Sequence, residues 1–153
     1  MYIAIGSDHR GFALKKNIMH HFADSESENS ISWIDVGCFD ADSCDYPSYA
    51  VLVAQALQSG RAARGILICG SGVGMSIVAN RFAGIYAALA WNEEVAQQSH
   101  ANDKSNILVL PSNFVTSDQA VAMINIWLNT VFLGGHYQDR IAMIDALPAL
   151  CKK

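Results

Sequence analysis

A cysteine stands at the mouth of a glycine-rich turn in the stretch GILICGSGVGMSIVAN, residues 65–80. An aliphatic run stops at Cys69, and Gly70, Ser71, Gly72, Val73 and Gly74 follow. Three glycines in five positions permit a tight turn that aims several backbone N–H groups inward. A helix opening there adds its own unpaired N–H groups and its dipole, so the place favours an anion: a phosphate, or an oxyanion formed during a reaction. In such surroundings a thiolate is favoured over a thiol, and it can serve as nucleophile or base. Position alone is equally consistent with a small buried hydrophobe that closes a strand. A second chemistry-bearing stretch is SDHRGF, residues 7–12. Asp8 and His9 directly follow an apolar run and suit hydrogen bonding to a polyol or a phosphate; the alternative is a capping aspartate beside a surface histidine.

Elements that would position these groups can be read from the hydrophobic pattern. Strands are predicted at 2–5, 31–37, 65–69, 85–91 and 105–111. Helices are predicted at 11–23, 47–60, 73–83, from Asn92 to about 102, at 117–133, and from near Tyr137 to around Pro148. In the first helix Phe12, Ile18, Met19 and Phe22 face inward, with Lys15 and Lys16 outside. Residues 23–30 are polar and without period, which predicts a loop. Pro47 suits a first helical turn and Gly60 a stop. Asn92 can cap the fourth helix, whose first turn holds Glu93 and Glu94, and Thr116 with Gln119 predicts a capping box. Helix 117–133 carries Val121, Ile124, Leu128 and Val131 on one stripe, with Met123, Trp127 and Phe132 beyond it. An arc that wide predicts burial on two sides, against the sheet and against a second subunit.

Strands alternate with helices, and the third and fifth strands are nearly continuous in Ile, Leu and Val. That predicts one Rossmann-like, doubly wound α/β domain over residues 1–153, with a five-stranded parallel sheet covered by helices on both faces. Ligands bind at the carboxyl ends of strands in this architecture. The motifs GSDHRGF, DYP (45–47) and CGSGVG all fall there. Dinucleotide binding is disfavoured, because no GxGxxG follows the first strand and no acidic residue of the usual kind follows the second.

Composition narrows the class further. The chain has 153 residues, 52% hydrophobic and 16% charged, which suggests apolar surface hidden against a partner subunit. The formal net charge is -4 with no basic block, so nucleic acid is not the expected partner. No apolar run approaches the roughly 18 residues of a membrane helix, and the start MYIAIGSDH does not read as a signal peptide. A cytoplasmic protein is expected. Cys38, Cys44, Cys69 and Cys151 form no C-x-x-C pair and match no zinc spacing, so neither a metal nor a disulfide is expected. Cys38 and Cys151 read as filler or surface residues.

GSDHRGF, DYPSYA, GILICGSGVGMSIVANRFAGI and GGHYQDR stand in this chain in the order and spacing of ribose-5-phosphate isomerase B, and the chain resembles that family over nearly its whole length. The wider family includes galactose-6-phosphate isomerase subunits. The resemblance implies an aldose–ketose isomerase for D-ribose 5-phosphate and D-ribulose 5-phosphate, with no metal and no organic cofactor. It also implies a homodimer, or a dimer of dimers, with active sites at the subunit interface. It places the base at Cys69, and sugar or phosphate contacts at Asp8, His9, Tyr46 and Arg140. The N–H groups from Gly70 to Gly74, with the Ser71 hydroxyl, would hold the developing oxyanion. Two positions depart from the pattern. Asn102, followed by Asp103, occupies the place of the family's ring-opening histidine, and asparagine delivers no proton. His100 lies two residues earlier and would have to reach the crevice by a shift of the helix end; Asp103, His9 or water are the alternatives. His136 replaces a phosphate arginine and would bind a dianion best when protonated. Alternative readings are a galactose-6-phosphate-type isomerase or a sugar-phosphate-binding module with weakened chemistry.

Overall fold

The computed structural model describes residues 1–23 and 31–147. In chain order the elements are β1 (Tyr2–Ser7), α1 (Phe12–Ala23), β2 (Ser32–Asp35), α2 (Tyr46–Gln58), β3 (Arg64–Cys69), α3 (Val73–Ala79), β4 (Ala87–Leu89), α4 (Glu93–Ala101), β5 (Ile107–Pro111), α5 (Ser117–Asn129) and α6 (His136–Asp145). The strands form one sheet in the order β2-β1-β3-β5-β4, and every pairing is parallel.

Both faces of the sheet are buried, and the two-residue strand period divides the core cleanly. Ile3, Ile5, Ile66, Ile68, Leu108 and Leu110 face a layer that includes Ile18 of α1, Ala96 of α4 and Met123, Ile124 and Trp127 of α5. Ala4, Leu67, Cys69, Ile107 and Val109 face the opposite layer, with Val53 and Ala54 of α2 and Met75 of α3. This double coverage explains why β3 and β5 carry apolar residues without alternation. It also puts the Cys69 side chain on the α2/α3 side. Chain direction reverses its walk between β1 and β3, where Ser7 pairs with Ile68. The carboxyl ends of those two strands therefore open the crevice where α/β sheets bind ligands.

Several expectations are corrected at the boundaries. The third helix stops at Ala79 rather than residue 83, because the Asn80 side chain turns to Ala87, accepting from its N–H and donating to its C=O at 2.9 Å each. β4 is confined to three residues where seven were expected. α5 ends at Asn129, since Thr130 is extended and returns its hydroxyl to Ile126 O at 2.6 Å. Its buried stripe is Ala120, Met123, Ile124 and Trp127 rather than the stripe through Val121, Leu128 and Val131. Lys15 is not outside: it is 1% exposed, and its ammonium donates to Asp35 Oδ1 at 2.6 Å and to Cys38 O at 2.7 Å. The two expected caps form, with Asn92 accepting from Val95 N–H and Thr116 and Gln119 making a reciprocal capping box. Of the expected loop at 23–30, Ala23 is instead the last residue of α1, and residues 24–30, like Pro148 and Cys151, lie outside the described residues. Among the described residues no helix is long and apolar enough to cross a membrane.

Candidate active site

At the carboxyl end of β3, Cys69 is 4% exposed and its sulfur accepts the N–H of Gly72 at 3.2 Å. That bond is possible because Gly72 is left-handed, with φ +76°, and a Cβ there would lie 2.3 Å from Leu89 Cδ1. Glycine at 72 is thus required twice, by backbone angle and by space. α3 begins at Val73, so the next free N–H groups face the same opening. The exposed Ser71 hydroxyl accepts weakly from Val73 N–H at 3.4 Å. Over this turn lies the ring of Tyr46, the first residue of α2. A Cβ on Gly74 would sit 2.5 Å from its Cζ and 2.9 Å from its hydroxyl.

The β1 turn meets this loop from the side. Asp8 is buried, and one carboxylate oxygen accepts Gly11 N–H at 2.9 Å, closing the turn. Gly11 is forced by close approach: a Cβ would stand 2.5 Å from Ile68 O. Asp8 N–H itself donates to Ile68 O at 3.2 Å, which ties the turn to β3. His9 Nδ1 lies 3.2 Å from Cys44 N and 3.4 Å from Cys44 O, so the Cys44 backbone engages that nitrogen and Nε2 is the one left for a ligand. Behind it, burial raises the Cys44 thiol, and the bond to Cys44 raises the Tyr49 phenol to about 12, so both stay protonated near neutrality. The turn after β5 completes the rim. Ser112 Oγ donates to Arg10 O at 3.2 Å and to Cys69 O at 3.1 Å, and Asn113 N–H donates to Gly70 O at 3.0 Å. Arg10, Ser112 and Asn113 were missed in the sequence, although Ser112 and Asn113 directly follow a strand end, where site residues belong.

The remaining candidates lie at the other end of the sheet. α4 runs back from the carboxyl end of β4, so its last turn reaches the amino ends. There His100 is 5% exposed and is bound to Arg64, the first residue of β3, at 3.0 Å from each ring nitrogen. Its Nδ1 also lies 2.9 Å from Ser105 O, and its ring meets Trp127 edge-on. Burial lowers its pKa, with Arg64 and Lys104 adding to the effect. Arg64 and Cys69 are five strand steps apart, about 17 Å. The expectation that His100 reaches the crevice is therefore corrected: it is a neutral core histidine in a polar knot with Arg64, Ser105 and Trp127. Asn102 caps the end of α4 and Asp103 follows, exposed.

His136 and Arg140 also belong to this end. They sit one turn apart on α6 and flank Tyr137, His136 stacked on it at 4.0 Å and Arg140 at 5.6 Å. α6 is fastened near the amino ends: Tyr86, just before β4, donates its hydroxyl to Asp145 Oδ1 at 2.5 Å, and Leu133 N–H donates to Ala101 O at 3.0 Å. Within one chain the structure thus brings together Asp8, His9, Tyr46, Cys69 and the 70–74 turn. It does not bring Asn102, Asp103, His136 or Arg140 to them. Among the described residues no cluster of three His, Cys, Asp or Glu side chains is placed to hold a metal ion.

Comparison with known proteins gives a consistent match. The family model described as Ribose/Galactose Isomerase matches residues 3–144. Ribose-5-phosphate isomerase B of Escherichia coli is 40% identical over 145 residues, 95% of this chain and 95% of that protein. The solved ribose-5-phosphate isomerase B of Clostridium thermocellum superposes with a TM-score of 0.93 at 37% identity, covering 99% of this chain and 100% of that one. The Mycoplasma genitalium ribose-5-phosphate isomerase B solved with bound ribulose-5-phosphate superposes with a TM-score of 0.86 at 37% identity, over 97% of this chain and 96% of that one.

Proposed function

The chain belongs to the ribose/galactose isomerase family, and from that premise we propose that it interconverts D-ribose 5-phosphate and D-ribulose 5-phosphate by proton transfer through an enediolate. The observation that carries the reading is the thiol of Cys69 at the sheet's switch point, with Gly72 N–H on its sulfur and Tyr46, Asp8 and His9 around it. In the open-chain aldose, the Cys69 thiolate removes the proton from C2. The C2–H electron pair becomes the C1=C2 bond, and the carbonyl electrons move onto O1. Free N–H groups of the 70–74 turn and the Ser71 hydroxyl neutralise that oxygen. Return of that proton from the Cys69 thiol to C1, with transfer of the O2 proton to O1 as the C2=O bond forms, gives the ketose and restores the thiolate. His9, through Nε2, and Tyr46 hold the sugar. Substitution of Cys69 by Ala tests this: isomerase turnover falls by about 10²–10⁴ if the base is assigned correctly.

The active unit in this reading is a homodimer. Phosphate and ring contacts from Arg140, His136, Asn102 and Asp103 come from the second copy, whose amino-end surface meets this copy's crevice. Two features support it. These residues lie across the sheet from Cys69 in their own chain. Large apolar side chains are also exposed at both ends: Val73 and Ile77 on α3, Met143 and Ile144 on α6. An isologous pairing joins such complementary halves twice, making two equivalent sites. A reducing cytoplasm suits an enzyme that depends on a free thiol.

A further inference from the structure

The side chain of Arg10 is laid against the glycine turn, and among the described residues no carboxylate forms an ion pair with it. A methyl group placed on Gly70 would stand 3.1 Å from both Cδ and Nη1 of Arg10, and 3.2 Å from Nδ2 of Asn113. Gly70 has no left-handed backbone angle to explain it, unlike Gly72. Its lack of a side chain is instead what lets the guanidinium and the Asn113 amide close over the loop. The backbone around both residues is fixed: Ser112 Oγ bonds Arg10 O, Gly11 N–H bonds Asp8 O at 3.2 Å, and Asn113 N–H bonds Gly70 O. Among the described residues the Arg10 guanidinium makes no ion pair and donates no hydrogen bond; the Arg10 carbonyl alone is engaged, by Ser112 Oγ. A cation held at the rim of that turn, with an amide donor beside it and no carboxylate in ion-pair contact with it, is arranged for a ligand's negative charge.

We propose that Arg10, with Asn113 beside it, is a binding residue for the substrate's phosphate group. The inference rests on the sugar-phosphate isomerase reading above. Two charges are available on such a substrate. The enediolate oxygen is already served by N–H groups on the Cys69 side of the turn. The phosphate is a dianion that needs more than one cation, and Arg140 supplies one while His136 is cationic only when protonated. The planar fork of a guanidinium matches two phosphate oxygens. Arg10 then makes ground-state and transition-state contacts equally, since the phosphate does not change during the reaction.

The test is steady-state kinetics of Arg10→Gln and Arg10→Lys with D-ribose 5-phosphate, together with calorimetric binding of inorganic phosphate to each protein. Arg10→Gln is expected to raise KM about 10- to 100-fold with kcat little changed, and to weaken inorganic phosphate binding by a similar factor. Arg10→Lys should fall between, because it keeps the charge and loses the fork. An unchanged KM in Arg10→Gln overturns the proposal. So does a fall in kcat at constant KM, which would put the guanidinium at the reacting carbons. Absence of turnover in the parent protein, with phosphate binding still weakened in Arg10→Gln, overturns the isomerase reading and leaves the Arg10 site standing.

Discussion

If one site is built from two chains, two inactive variants should rescue each other. Cys69→Ala removes the base, and Arg140→Ala removes a phosphate contact that lies at the opposite end of the same chain. β3 alone separates those ends by about 17 Å, so a five-carbon phosphate cannot bridge them within one copy. Mix the two variants in equal amounts, dissociate and reassociate them, and half of the dimers are hybrids. In each hybrid one site receives both defects and the other receives none. Intact sites are then half of half, so activity should recover to about a quarter of the parent value in an isologous dimer. The assay is ribulose formation before and after subunit exchange, with each variant alone carried through the same procedure. Recovery close to zero, with hybrids demonstrated by differential tagging, would refute the shared-site argument. It would mean that Arg140 serves the crevice of its own chain, or none.

Other consequences follow from the amino-end cluster. His100 is held neutral by burial below its usual 6.5, so the unfolded chain binds a proton there more readily than the folded one. Its contribution to stability is therefore complete above about 6.5 and is lost as pH falls below that value. His100→Gln should show a smaller drop in melting temperature between pH 7.5 and 5 than the parent; an equal drop would remove His100 as a source of acid sensitivity. Asn102→His should raise turnover on the cyclic substrate by supplying a proton for ring opening. Turnover that falls on this change would show that ring opening is handled elsewhere.

Local pattern made most of the fold legible, because strands buried on both faces and capped helices announce themselves within a few residues. What it could not show was pairing across distance. Lys15 looked external by helical period, and it is Asp35 and the Cys38 carbonyl, twenty and more residues on, that make its burial tolerable. The position of β5 between β3 and β4 is likewise set by packing, not by any local residue. The site was half legible. Cys69, the glycine turn, Asp8, His9 and Tyr46 converge as their strand-end positions implied. His100 was misplaced, although the signal was present: a helix that follows a parallel strand must run back to the amino ends, away from Cys69. Arg10 escaped notice because its side chain occupies the space that a side chain at Gly70 would need, which no spacing in the sequence reveals.

The central claim is that the thiol of Cys69 moves the proton, and it is tested most directly by turnover of D-ribose 5-phosphate by the parent and by Cys69→Ala. The account predicts clear turnover in the parent and a loss of about 10²–10⁴ in kcat in the variant, with sugar-phosphate binding retained. Undiminished turnover in Cys69→Ala would contradict it.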